Sequence, residues 1–238
     1  MRVKEYLSIR GIEYQSINVL EDKSGLTELR RLGARSVPVV SRGDKFVFAQ
    51  VIKDVVDFLG LPDDTGPQLS PTELHDRYDH VLETVIRLVR QMPDDQIERE
   101  LPNRPRSWRV LMHHVFQIPT AFLDMEETGE ALSYENMVAP PPADLRTSGA
   151  IASFGETVRG RFNGWWKTAA GQSFAVQVPV YFGQTSRHEM LERTVWHSTQ
   201  HVRQVASLLE QAGIAPDRPL TRGDIQGLPL TDKVWDEV

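Results

Sequence analysis

The sequence predicts a two-domain chain of mixed class, a small α/β domain over residues 1–61 and an all-α four-helix bundle over residues 72–238, joined by a linker at 62–71. Short helical and β-branched runs alternate as far as Gly60. A stretch holding Pro62, Asp63, Asp64, Gly66 and Pro67 then lacks apolar periodicity, as linkers do. Beyond it, four long segments repeat apolar residues at helical spacing, the pattern of a bundle.

Val3 to Arg10 suits a short amphipathic helix stopped by Gly11, and Ile12 to Val19 alternates apolar with polar residues as a half-buried strand does. Ser24 is the expected N-cap of a helix through Leu32, which Gly33 closes. Val37, Val39 and Val40 favour a strand, Arg42–Gly43–Asp44 a hairpin turn, and Lys45 to Ala49 the returning strand. Val51 to Leu59 completes the domain as a helix ended by Gly60.

In the bundle, Thr72 to Gln91 carries apolar residues at Leu74, Tyr78, Val81, Leu82, Val85, Ile86 and Val89, behind the capping-box pair Ser70 and Glu73. Trp108 to Glu127 is the second helix, bent at Pro119; Ser148 to Thr168 is the third; Ser186 to Ala212 is the fourth, ended by Gly213. From Pro216 onward a Pro-, Gly- and Asp-rich tail is expected to lie along the surface.

Composition removes several classes of function. The net charge of −6 comes from interspersed charges without Lys/Arg blocks, which argues against a nucleic-acid partner. With no Cys, the chain has no disulfide, no thiolate ligand and no nucleophilic thiol of its own, so any thiol chemistry needs a thiol supplied by a ligand. Residues 1–11 lack a signal-peptide apolar core, and no run approaches a membrane span, which implies a soluble cytoplasmic protein.

The residues richest in chemistry lie in the last long helix. His197 and His201 are four apart, and so stand one turn apart on one face. Leu191, Val195, Val202, Val205 and Leu209 form an apolar stripe, and His197, His201 and Gln204 run beside it, so the imidazoles lean inward. Two such imidazoles need a third ligand from a facing helix to hold a divalent ion such as Zn, Ni or Fe; His113 and His114 both lie in the second helix. A three-His site leaves a position open for water or substrate. Without a zincin Glu, however, His197 and His201 also fit ordinary hydrogen-bonded histidines. Trp165, Trp166 and Trp196 read as core, and Tyr181 and His188 as surface.

On these residues, 70–212 resembles the DinB-like metalloprotein superfamily, which includes bacillithiol transferases and mycothiol-dependent maleylpyruvate isomerase. The resemblance implies a four-helix bundle with one His from the second helix and two at i, i+4 in the fourth, followed by Gln; these positions resemble His114, His197, His201 and Gln204. His114 is preferred to His113 because an aliphatic residue, Val115, follows it as in the family. Arg203 stands where many relatives have Gly, either as a rim charge suited to an anionic ligand or as a solvated side chain.

Residues 1–61 resemble a glutaredoxin from its first helix onward, with Ser36-Val37-Pro38 as the signature. The resemblance implies a cis Pro38 and a Val37 backbone able to pair with glutathione. The first strand and Cys-bearing loop of a glutaredoxin have no counterpart before Met1, which implies a domain without redox activity. Alternatively, Pro38 merely opens an edge strand, and a shortened sheet gains a partner by homodimerisation.

Together these resemblances imply a metal-dependent transferase or isomerase that uses a low-molecular-weight thiol, glutathione, on a small-molecule electrophile, with Gln204 and Arg203 as its catalytic candidates. The contrasting expectation is a non-catalytic, metal-stabilised binding protein that recognises a partner through the redox-dead domain.

Overall fold

The computed structural model describes residues 2–9, 12–19, 21–62, 66–101, 104–230 and 232–235. Arg10 and Gly11, the expected end of the first helix, and Asp63 and Asp64 of the linker lie outside the described residues. The chain divides into two compact units, Met1–Gly66 and Pro67–Val238.

In the first unit, α1 (Arg2–Ile9), α2 (Lys23–Arg31) and α3 (Ile52–Leu59) accompany one hairpin, β1 (Val39–Arg42) with β2 (Lys45–Phe48). The hairpin register pairs Arg42 with Lys45, leaving Gly43 and Asp44 as the turn; Gly43 takes the positive φ that such a turn requires. Val3, Leu7, Ala49, Ile52, Val55 and Val56 form its small core. The Val37–Pro38 peptide is cis.

Two local expectations change. Asp22, not Ser24, caps α2: its carboxylate accepts from the Ser24 and Gly25 backbone N–H groups, and a charged acceptor suits the positive helix start. Ile12 to Val19 forms no strand, despite its alternation. A strand exists only with a hydrogen-bonding neighbour, and β1 and β2 pair with each other alone among the described residues, leaving Tyr14 and Ile17 about two-fifths exposed.

The second unit is built on four long helices, α4 (Pro71–Gln91), α5 (Trp108–Thr128), α7 (Ser148–Ala169) and α8 (Arg187–Gln211). Each packs between two others, α4 against α7 and α8, and α5 against the same pair. The Ser70–Glu73 capping box is present at the start of α4, and a matching Ser186–Glu189 box starts α8. Two short hairpins supplement the bundle: β3 (Glu100–Leu101) with β4 (Arg104–Ser107), and β5 (Gln177–Val180) with β6 (Gly183–Ser186). Short helices α6 (Tyr134–Met137) and α9 (Arg222–Ile225) complete it. No helix among the described residues is long and apolar enough to cross a membrane.

Pro119 ties α5 to α8. Lacking an N–H, it cannot donate to the Val115 carbonyl four residues earlier; the Ser198 hydroxyl of α8 donates to that carbonyl instead, at 3.1 Å. Tyr78 of α4 then donates to Ser198 Oγ at 2.7 Å, so one buried relay joins three helices. Ser198→Ala is expected to leave the Val115 carbonyl and the Tyr78 hydroxyl without partners, lowering stability by about 1–3 kcal/mol in urea denaturation. Ser198→Thr, which keeps the hydroxyl, should lose less.

The tail departs from its expected surface course. Leu228 is buried in the bundle core, and Leu220, Leu230 and Trp235 pack against it. Apolar residues scattered among Pro and Gly can each fill a local gap without any periodicity.

Candidate metal centre

Both helices that carry the clustered histidines are launched from the second strand of a hairpin. β4 runs directly into α5 through Ser107, whose hydroxyl accepts from Val110 N, and β6 runs into α8 through Ser186. Each helix therefore enters the bundle with its first turn fixed by strand pairing and by a side-chain cap. His114 lies in the second turn of α5, and His197 and His201 near the middle of α8.

From these positions the three rings converge. Ring centroids are 5.4 Å apart for His114 and His197, 5.0 Å for His114 and His201, and 5.0 Å for His197 and His201. One nitrogen from each lies within 4.8 Å of the other two, and no carboxylate joins the cluster among the described residues. His113 points elsewhere, stacking on Phe154 at 5.4 Å, with Nδ1 meeting no partner among the described residues. It is buried, and burial, reinforced by Arg109, pushes its pKa down to about 4.

Two of the clustered imidazoles, His114 and His197, are held neutral. Burial drives His114 down to about 2, with added repulsion from His201, Arg106 and His113 outweighing a hydrogen bond to the Met137 backbone. Burial likewise holds His197 well below its ordinary value, followed by repulsion from His201, His114, Arg193 and Arg106. A neutral imidazole offers a lone pair, the form a metal ligand requires.

Outer contacts orient two of the rings. His201 Nδ1–H donates to Gln204 Oε1 at 2.7 Å, which assigns its ligating lone pair to Nε2. His114 is steered by the Met137 backbone of α6, which Gln117 anchors to α5 through the Asn136 carbonyl at 2.7 Å. Three converging imidazoles, two of them oriented by outer contacts and without a fourth side-chain ligand among the described residues, fit a divalent ion with an open position.

The remaining expected site residues lie apart from the cluster or act at one remove. Arg203 turns to the tail, donating to Gln200 Oε1 at 2.9 Å and to the Asp232 carbonyl at 2.8 Å. The arginines whose charge reaches His114 or His197 are Arg106, in β4, and Arg193, one helical turn before His197. Arg193 donates to the Tyr181 hydroxyl at 3.3 Å and lies over Phe182 at 5.0 Å and Trp196 at 5.9 Å. Its i, i+4 spacing to His197 was visible in the sequence and would have marked it; Arg106 had no such signal. Tyr181, expected at the surface, is half-buried by these contacts, and the His188 Nε2–H donates to the Leu69 carbonyl at 2.8 Å. In the first unit Val37 is 49% exposed and its carbonyl accepts from Gln50 Nε2 at 3.2 Å.

Comparison with known proteins treats the two units differently. The glutaredoxin family model matches residues 1–47. No curated protein matches the sequence. Among solved structures, the chain is similar to YfiT from Bacillus subtilis, described as a probable metal-dependent hydrolase with an unusual four-helix bundle topology. The TM-score is 0.50 at 18% identity, covering 64% of this chain and 95% of YfiT, a likeness of fold. The chain thus carries an N-terminal stretch similar to glutaredoxin, followed by a bundle whose fold is similar to that of YfiT.

Proposed function

We propose that the protein is a metal-dependent enzyme that joins a low-molecular-weight thiol, glutathione, to a small-molecule electrophile, or uses the thiol to isomerise one. The observation that carries this reading is the convergence of His114, His197 and His201, with His114 and His197 held neutral and no fourth side-chain ligand in the cluster among the described residues. A divalent ion held there supplies Lewis acidity and favours the thiolate form of a bound thiol. The chain has no Cys to compete for the ion, so the thiol must come from outside.

The protein's own residues do the holding and the charge balancing. The histidines bind the ion, Gln204 keeps His201 oriented, and Arg193 and Arg106 bring positive charge to the histidines, favouring an anionic reactant. In transfer, a C–S bond forms while the leaving group departs and the thiol proton goes to solvent. In isomerisation, the same C–S bond forms and breaks again, and the thiol is returned. Val37 and Pro38 of the glutaredoxin segment are proposed to recognise the backbone of glutathione. The likeness to YfiT supports a second reading, hydrolysis, with water in place of the thiol.

Protein reconstituted with zinc, nickel or iron(II) is to be incubated with glutathione and a panel of haloarenes and cis-unsaturated carbonyl compounds. Metal-dependent loss of thiol indicates transfer; conversion of cis to trans without loss of thiol indicates isomerisation. Turnover of esters or amides without thiol would favour hydrolysis. A protein that binds metal yet stays inactive in all of these assays would stand as a binding protein, and the enzymatic reading would fall.

A further inference from the structure

Resting on the three-His reading, we propose that the tail segment Asp232–Trp235 is a positioning strap that fixes the tautomer of His201 through Gln204. Three consecutive tail carbonyls face α8. Asp232 O accepts from Arg203 at 2.8 Å, Lys233 O from Gln200 Nε2 at 3.1 Å, and Val234 O from Gln200 Nε2 at 2.8 Å and Gln204 Nε2 at 3.0 Å. Trp235 closes the strap, its indole N–H donating to Ser207 Oγ at 3.0 Å and its ring packing against the bundle core.

The relay follows from which groups can donate. A backbone carbonyl only accepts, so Val234 demands the NH2 end of the Gln204 amide. The amide oxygen must then face His201, and it too only accepts, so His201 presents Nδ1–H to it at 2.7 Å. In a neutral imidazole that leaves the lone pair on Nε2. Without the carbonyl, the amide can flip and offer its NH2 to His201, which would favour the opposite tautomer with the lone pair on Nδ1. Gln204 is buried and one turn beyond His201, too close to be displaced without disturbing the ring. The strap therefore acts on the metal centre without touching the ion.

The test uses the full chain carrying Gln200→Ala with Trp235→Ala, which loosens the strap but leaves the three histidines and Gln204 in place. Two quantities are measured: the imidazole 15N spectrum of metal-free protein, and zinc affinity by chelator competition. Wild type is expected to show His201 as a single Nδ1–H tautomer, and the double variant a mixture of tautomers with affinity reduced by about 10–100-fold, the cost typical of losing an outer-shell partner. Gln204→Leu keeps most of the side-chain volume, and should reproduce the spectral change if the double variant folds poorly. An unchanged tautomer together with wild-type affinity in the double variant would overturn the proposal. If wild type binds no zinc, the metal-centre reading fails separately, while the metal-free 15N spectrum still decides whether the strap sets the tautomer.

Discussion

Replacing His197 or His201 with Ala is expected to abolish metal retention and metal-dependent activity. Outer-shell partners typically cost 10–100-fold in affinity, and a direct ligand should cost more than that, since the two remaining imidazoles cannot close a site. His114→Ala should match them, because it removes the only clustered imidazole supplied by α5. His113→Ala is the informative control: that ring stacks on Phe154 away from the cluster, so metal affinity should stay within a few-fold of wild type. Chelator competition on all four variants checks this pattern, with far-ultraviolet circular dichroism to confirm that the helices persist. Loss of metal in His113→Ala but not in His114→Ala would reverse the ligand assignment.

Acid should destabilise the metal-free protein, beginning near pH 6.5. Burial holds His113 near 4, His114 near 2 and His197 well below 6.5, whereas in the unfolded chain each returns to about 6.5. Between these limits the unfolded chain binds more protons, so stability falls as pH falls; above about 6.5 the imidazoles are neutral in both states and contribute no slope. Each contributes at most about 1.4 kcal/mol per pH unit, so the three together reach about 4 kcal/mol per unit. That is a large share of the roughly 5–15 kcal/mol that holds an ordinary domain together. Urea denaturation with chelator present, from about pH 7 down to about pH 5, should show a steep drop in midpoint. A flat midpoint over that range would mean that these rings are solvated in the folded protein.

Much of the scaffold was legible because it depends on local chemistry. Ser70 with Glu73 marks a helix start through four neighbouring residues, and the i, i+4 spacing of His197 and His201 puts them on one face whatever else the chain does. The segment Ile12 to Val19 shows where local pattern stops sufficing: alternation describes a strand's faces, but whether a strand forms depends on a neighbour that the sequence does not name. Asp22 competed with Ser24 for the same cap, and the carboxylate prevailed. The two hairpins that launch α5 and α8 are too short to show periodicity.

The site itself divides in the same way. His114 was separated from its neighbour His113 by a resemblance; in the structure, the 100° rotation between successive helical residues sends one ring to the cluster and the other to Phe154. Arg203 drew attention by its place beside Gln204, yet the same rotation turns it to the Asp232 carbonyl. The tail's contribution was hidden because its contacts to α8 are made largely by backbone carbonyls, which every residue possesses.

The most direct test of the metal centre is an X-ray absorption spectrum of tag-free protein loaded with zinc and passed through a desalting column. The account predicts about one retained ion per chain, surrounded by three imidazole nitrogens and a light exogenous atom at about 2.0–2.1 Å. No retained ion, or an ion whose spectrum lacks imidazole scattering, would contradict it.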